Sequence, residues 1–160
     1  ASRGVVIQEF LYYLLSHPYF DRMPPKSTGR EDFGMETYLR DALAARRDAH
    51  SMEDLITTVT TAVAQSIIKA HNRFIAPQYK IARLIISGGG AHNATLVNML
   101  REGLPDTVVR LSDEYKLPVD AKEAVAFAIL GNETLCGTPA NVPGATGASK
   151  PVVLGKITPN

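Results

Sequence analysis

The chain of 160 residues contains a single cysteine, Cys136, and no excess of charge of either sign. One cysteine excludes an internal disulfide framework and is typical of a reducing compartment, so we expect a cytoplasmic protein. The four histidines are scattered and have no cysteine neighbours, which leaves no spacing for a zinc site and predicts no metal held by the protein's own side chains. A formal net charge of +1 gives no reason to expect nucleic acid or a membrane surface as a partner.

Long apolar runs are also missing, since none approaches the roughly 18 residues that a membrane-spanning helix requires. Hydrophobic residues make up 45% of the chain and charged residues 21%, which is ordinary for a globular protein. A chain of this length can form one domain with its own core, or one lobe of something larger. Because it starts at Ala1 without a methionine and enters a helical pattern almost at once, we expect a piece of a longer protein.

Helical spacing of apolar residues dominates the first half of the chain. It predicts an amphipathic helix over Gly4–Ser16 and a short helix over Met35–Ala45, with Arg46 and its charged neighbours as the solvated end of the latter. The longest helix follows Ser51, a predicted N-cap. Its cluster of threonines lowers helix propensity, so tertiary packing must hold it. Its apolar face is predicted to consist of Met52, Leu55, Ile56, Val59, Ala62, Val63, Ile67, Ala70 and Phe74.

Two short apolar runs, Ile81–Ile86 and Thr107–Leu111, have the length and composition of β-strands. The helix between them has Asn93 as its predicted N-cap and Gly103 as the residue just after its end. A strand, a helix and a second strand predict a parallel βαβ unit and therefore an α/β protein.

Three consecutive glycines, Gly88, Gly89 and Gly90, lie between the first strand and that helix. They leave the backbone bare, so a flat or anionic ligand could approach the exposed N–H groups and the positive end of the helix dipole. The pattern is neither the spaced dinucleotide fingerprint nor a Walker A loop. A tight turn whose glycines only permit the bend is the alternative.

A polar connection, 17–34, holds three prolines and is predicted to be irregular. Lys26, Ser27, Thr28 and Arg30 offer cations and hydroxyls that suit a phosphate or a sugar, whereas a solvated surface loop is the alternative. Farther along, Asp120 and Glu123 have the spacing of a capping box at the start of the last long helix, which Gly137 is predicted to end.

Five motifs now stand in a recognisable order: HPYF at 17–20, PPKSTGRE at 24–31, ISGGGAHN at 86–93, VDAKEAVAFA at 119–128 and TGASKPVVLGKI at 146–157. Together they resemble the anhydro-N-acetylmuramic acid kinase family over nearly the whole chain. The related levoglucosan kinases are similar enough that the motifs do not separate the two.

The resemblance implies the C-terminal lobe of the actin-like ATPase and sugar kinase fold, with a small mixed sheet packed against helices. It implies a single lobe over 1–160, in which 17–50 is a possible inserted loop or subdomain. The implied reaction opens a 1,6-anhydro sugar with water and transfers the γ-phosphoryl group of ATP to O6, with Mg²⁺ bridging the phosphates. The implied partners are ATP, the anhydro sugar and an N-terminal lobe.

The resemblance also implies roles for particular residues. Gly88–Gly90 match the nucleotide-binding turn, which His92 lines, and Glu123 matches an acid that binds sugar hydroxyls. Lys26, Ser27, Thr28 and Arg30 are implied nucleotide contacts. The catalytic aspartate is expected upstream of Ala1, so the chain alone is expected to be inactive, with uncovered apolar surface and a possible homodimer. A non-catalytic nucleotide-binding module is the alternative from another class.

Overall fold

The computed structural model describes residues 1–34, 38–46 and 49–158. Within these ranges there are seven α-helices and two β-strands. The helices are α1 (Gln8–Leu15), α2 (Arg30–Phe33), α3 (Tyr38–Ala44), α4 (Met52–Ala70), α5 (Ala94–Gly103), α6 (Lys122–Cys136) and α7 (Pro143–Thr146), and the strands are β1 (Arg83–Ile86) and β2 (Val108–Leu111). Turns of 3₁₀ helix lie at Pro18–Asp21, Gly89–His92 and Ser112–Tyr115, and a π-helical turn, His71–Ile75, continues α4.

The sheet confirms the predicted βαβ unit, because β1 and β2 are parallel and α5 connects them. Arg83 lies opposite Val108, and the register continues to Ile86 opposite Leu111. The described part of the chain contributes only this parallel pair, so the expected mixed sheet is wrong for these residues. The protein is a small α/β structure in which helices outnumber strands.

Helix α4 organises the packing, since α1 lies on one of its flanks and α5 on the other. Two separate apolar clusters result. The first joins α1, α3 and α4 through Phe10, Leu11, Leu14, Ala42, Leu55 and Ala62. The second joins α4, α5 and the sheet through Ala64, Leu96, Val97, Leu100 and Val109.

The predicted apolar face of α4 is partly wrong. Met52, Ile56, Val63 and Ile67 remain exposed, Ile56 by 48%, although Leu55 and Ala62 are buried as expected. The threonines are buried instead, because α1 and α5 pack on two flanks of α4. Together they cover more of its surface than the single apolar stripe predicted from the sequence. Their hydroxyls donate to carbonyls one turn back, and Thr57 to Glu53, Thr58 to Asp54 and Thr61 to Thr57 span 2.7–2.8 Å. Burial therefore leaves these hydroxyls paired.

The first helix begins four residues later than predicted. Gly4–Ile7 is not helical, and two of its backbone amides donate to side chains of α4. Val5 donates to Asp54 Oδ1 at 2.6 Å, and Ile7 donates to Thr58 Oγ1 at 2.9 Å. The apolar spacing alone favours a helical turn here. The contacts of this segment with α4 favour a non-helical backbone instead.

Several helix ends agree with the sequence. Ser51 Oγ accepts the Asp54 amide at 3.1 Å, and Asn93 Oδ1 accepts the Leu96 amide at 3.1 Å, which confirms both N-caps. Gly137 ends α6 in the left-handed region with φ 68°. Gly103 is a wrong prediction, because it is the last helical residue of α5 and Leu104 follows it as the C-cap.

The predicted irregular connection contains more structure than expected. A 3₁₀ turn and α2 bring His17, Phe20, Phe33 and Tyr38 into one aromatic cluster with ring centroids 4.6–6.4 Å apart. The short helix predicted over Met35–Ala45 is α3, although 35–37 lie outside the described residues. Arg46 is not a solvated end, because its guanidinium lies over the rings of Phe10 and Tyr13 at 4.8 and 5.2 Å. Its neighbours Arg47 and Asp48 lie outside the described residues.

Considerable apolar surface is uncovered. Ile85 and Val108 are each half exposed on the side of the sheet away from α5. No residue of α6 is buried, and its Phe127 and Leu135 are 72% and 75% exposed. The uncovered surface expected from the sequence is therefore present. Among the described helices, none combines the length and the apolar character needed to cross a membrane.

Candidate functional site

The candidate site lies where the two parallel strands end. Gly88–Gly90 follow β1, and the 3₁₀ turn Ser112–Tyr115 follows β2, so both connections stand at the carboxyl edge of the sheet. Ligands of open α/β sheets bind in the crevice outside this edge. The helix that starts behind the glycines is α5, whose N-terminus carries the positive end of its dipole.

The glycine bend is open. A Cβ built at Gly88 or Gly89 would meet no atom within 4 Å. Gly88 has φ 80°, a conformation that L side chains rarely adopt, so this position requires glycine. The amides of Gly89 and Gly90 have no acceptor among the described residues, and they remain available to a ligand. The Gly88 amide is occupied, because it donates to the carbonyl of Val119 at 2.6 Å.

That contact anchors a second segment, 119–123, beside the bend. Val119 is buried, and its own amide donates to Asp113 Oδ1 at 3.1 Å. Both polar backbone groups of Val119 are therefore held from the carboxyl ends of the strands, the carbonyl by Gly88 after β1 and the amide by Asp113 after β2. Residues 119–123, which lead into the last long helix, are therefore placed by the sheet.

A side-chain pair adds a third connection. Nε2 of His92 lies 2.9 and 3.1 Å from the carboxylate oxygens of Asp120, and a carboxylate can only accept, so Nε2–H is the donor. The two side chains are 58% and 71% exposed. The predicted capping box is wrong, because α6 begins at Lys122 with Ala121 as an uncapped N-cap. Asp120 and Glu123 are free of that role.

A cavity of about 170 Å³ lies between the bend and this segment. It unites the two kinds of residue that the sequence singles out, the glycines and Glu123. Pockets for complete ligands usually measure about 300–1,000 Å³, so this cavity suits one phosphate or part of a sugar ring. Its exposed ammonium and carboxylate groups can bind an anion and donate or accept hydrogen bonds. Its lining comprises Gly88, Gly89, Val119, Asp120, Lys122 and Glu123.

The residues predicted in the 17–34 connection are not part of that cavity. Nζ of Lys26 donates to the carbonyls of Tyr19 and Phe20 at 3.0 and 3.2 Å and lies over the rings of Tyr19 and Phe74. Burial is the main reason why the pKa of Lys26 is lowered. The Lys26 ammonium thus holds the 3₁₀ turn in place, and its role toward a nucleotide stays a prediction.

The neighbours of Lys26 are placed as follows. Ser27 is exposed, and the Thr28 hydroxyl donates to Asp32 Oδ2 at 2.7 Å. The side chain of Arg30 lies outside what the structure describes.

No group of three or more His, Cys, Asp or Glu residues in the described part of the chain is arranged to hold a metal ion. Sequence reasoning missed the His92–Asp120 pair, because nothing local connects residues 28 positions apart.

The fold and the cavity define a class of protein. Free backbone amides in a glycine turn just before a helix, placed at the carboxyl edge of parallel strands and faced by a cation and a carboxylate, are typical of α/β proteins that bind phosphorylated or polyhydroxylated ligands. Comparison with known proteins specifies the family. The family model for anhydro-N-acetylmuramic acid kinase matches residues 1–160, and the chain belongs to that family.

Individual relatives agree with the family match. The chain is 48% identical over 160 residues to an anhydro-N-acetylmuramic acid kinase of Bacillus cereus, covering 99% of this chain and 41% of the relative. It is also 48% identical to one of Bacillus thuringiensis subsp. konkukian and 47% identical to one of Bacillus anthracis, with the same coverage. The chain therefore spans about two-fifths of the length of the curated relatives it matches, and the resemblance predicted from the five motifs is confirmed.

Proposed function

We propose that this chain is the C-terminal lobe of an ATP-dependent kinase that opens 1,6-anhydro-N-acetylmuramic acid with water and phosphorylates its O6. One observation carries the proposal. The cavity at the sheet edge places the glycine bend, suited to a phosphate, directly beside Glu123, suited to sugar hydroxyls. Family membership and the names of the relatives support the choice of sugar and phosphoryl donor.

The nucleotide half of the site is assigned to the glycine bend. The free amides of Gly89 and Gly90 can donate to phosphate oxygens, and the N-terminus of α5 favours negative charge. The exposed Lys122 supplies a nearby cation at the cavity wall. Mg²⁺ is bound mainly through phosphates and water in such enzymes, which is compatible with a lobe that offers no metal cluster among its described residues.

The sugar half of the site is assigned to Glu123. Its carboxylate lines the cavity, is exposed, and is not used as a helix cap. An ionised carboxylate accepts two or more hydrogen bonds from adjacent hydroxyls, and such charge-assisted bonds are stronger than neutral ones. Glu123 is therefore assigned the orientation of the sugar.

The remaining parts of the machinery are assigned to the sequence outside these 160 residues. The family resemblance implies that the aspartate that activates water, and one side of the phosphate clamp, lie in an N-terminal lobe. The two lobes together would form the actin-like ATPase architecture of a cytoplasmic enzyme. We expect no turnover by the chain alone, because positioning and charge neutralisation at the transferred phosphoryl group then lack half their groups.

Two experiments test the proposal. The protein at the full length of its relatives is assayed with ATP on 1,6-anhydro-N-acetylmuramic acid and on levoglucosan. Phosphorylation of the first sugar at O6 is expected, and activity on levoglucosan alone would contradict the assigned substrate. In parallel, the 160-residue chain is titrated with Mg-ADP. Weak binding is expected, which Gly89→Asp abolishes by placing a carboxylate against the phosphate.

Gly89→Ala is the matched control for that titration. Its added methyl group meets no atom within 4 Å, so the variant should fold normally. It keeps the backbone amide and adds no charge, and binding should therefore persist. Equal binding by the wild type and Gly89→Asp would remove the glycine bend from the nucleotide site.

A further inference from the structure

We propose that His92 and Asp120 are positioning residues whose hydrogen bond sets the place of Glu123 across the cavity from the glycine bend. The inference rests on the proposed function, because it assigns a purpose to a pair inside the same site. It goes beyond that function by naming the element that connects the nucleotide half to the sugar half.

The need for such an element follows from how α6 begins. The two hydrogen bonds that tie the segment to the ends of the strands both act on Val119, four residues before Glu123. Ala121, the N-cap of α6, makes no side-chain cap, and no residue of α6 is buried. Among the described contacts, the His92–Asp120 hydrogen bond is the side-chain tie nearest to Glu123 on this segment.

The location of His92 makes the tie a connection between the two halves. His92 is the last residue of the 3₁₀ turn that begins at Gly89, so it moves with the glycine bend. Asp120 precedes Glu123 by three residues and moves with the start of α6. A phosphate that orders the bend therefore orders Glu123 as well, through one hydrogen bond at 2.9 Å.

Stability does not explain the pair. Both side chains are more than half exposed, and exposed pairs of this kind contribute little to the stability of the fold. Removing either partner should leave the fold intact. The same hydrogen bond contributes to ligand binding instead, because the orientation of the Glu123 side chain decides how many sugar hydroxyls it contacts.

The test measures the dissociation constant of 1,6-anhydro-N-acetylmuramic acid with Mg-ADP present, in the protein at the full length of its relatives. His92→Ala and Asp120→Ala should each raise the constant about fivefold, as the loss of one hydrogen bond predicts. The double variant should be no weaker than either single variant, because both remove the same interaction. His92→Gln should restore most of the affinity, since its amide can donate to Asp120.

The control is His50→Ala, which removes an exposed histidine outside the cavity. It should bind like the wild type, and all variants should unfold at the same temperature. Additive effects of the two alanine substitutions, or wild-type affinity in both, would overturn the positioning role while the proposed function stands. Absence of sugar and nucleotide binding in the wild type would overturn both.

Discussion

Gly103, the last residue of α5, lies directly against the side chain of Ile68 on α4. A Cβ at Gly103 would overlap Cδ1 of Ile68. Glycine leaves room there for the Ile68 side chain, which would have to shift to admit a Cβ, and the backbone conformation of Gly103 is ordinary. This contact closes the second apolar cluster at the end opposite to the glycine bend.

Gly103→Ala should therefore destabilise the chain by about 1–3 kcal/mol, the usual cost of overpacking. Urea unfolding measures the change. Gly131→Ala is the matched control, because it also adds a methyl group within a helix but meets no atom within 4 Å. That variant should be more stable by up to about 1 kcal/mol. Combining Gly103→Ala with Ile68→Ala should recover part of the loss, and an equal effect of both glycine substitutions would contradict the contact.

Stability should depend on pH through Asp54. Its pKa lies below the ordinary 3.8, first because its carboxylate accepts the Val5 amide and then because it interacts with Ser51. A lowered folded-state pKa contributes stability that is present above about pH 4 and is lost as pH falls below it. The melting temperature of Asp54→Asn should therefore fall less between pH 5 and pH 3 than that of the wild type.

The control for this pH series is Asp106→Asn, because Asp106 makes no hydrogen bond or ion pair with the described residues. Its melting curve should keep the wild-type slope. Asp21 should behave like Asp54, since its pKa is lowered mainly by the hydrogen bond from Arg73. Identical slopes for the wild type and Asp54→Asn would show that the bond to Val5 does not persist in solution.

Ser112→Ala should stabilise the chain by about 1 kcal/mol. The Ser112 hydroxyl is buried and has no hydrogen-bond partner among the described residues, which costs the folded state its lost hydration. Thr58→Val is the comparison, because Thr58 is equally buried but its hydroxyl accepts the Ile7 amide. It should be destabilising. Chemical denaturation of both variants measures the sign of the change in the free energy of unfolding. A loss of stability in Ser112→Ala would reveal a partner for its hydroxyl.

Glu123→Ala should raise KM for the sugar about tenfold or more in the protein at the full length of its relatives, with a much smaller change for ATP. The expected size is that of hydrogen bonds to a charged acceptor. Steady-state kinetics with each substrate varied in turn separates the two effects. Glu102→Ala removes an exposed carboxylate of α5 outside the cavity and should leave both KM values unchanged. Unaltered sugar kinetics in Glu123→Ala would remove Glu123 from the sugar site.

The 160-residue chain should self-associate at high concentration. Exposed apolar side chains on α6, of which Phe127 is the largest, form the kind of surface that soluble monomers rarely leave uncovered. Light scattering should detect dimers or larger species, and Phe127→Ser should reduce them. A monomer at every concentration would show that this surface is not adhesive.

The sequence predicted the order of elements well, because its strongest signals are local. Asn93, Ser51 and Gly137 act within one helical turn, so their roles as caps follow from neighbouring residues. The parallel pairing of the strands followed from the helix that connects them.

The errors have the opposite origin. Whether Gly4–Ile7 is helical depends on Asp54 and Thr58, about 50 residues away, and the exposure of Ile56 depends on neighbours at both flanks of α4. Of the candidate site, the glycines and Glu123 could be chosen from motifs. Their proximity could not be predicted, because it depends on hydrogen bonds of Val119 and Asp120. For each of these two residues, one partner lies about 30 residues earlier in the chain, in the connection between β1 and α5.

The way Val119 is fastened has a practical consequence for redesign. Its attachment to Gly88 and Asp113 uses no side chain of Lys122 or Glu123, although both of these face the cavity. The residues that hold this segment in place and the residues expected to contact ligands are therefore different, although they lie a few positions apart. We expect a library that varies only 122 and 123 to change ligand preference without changing the frame.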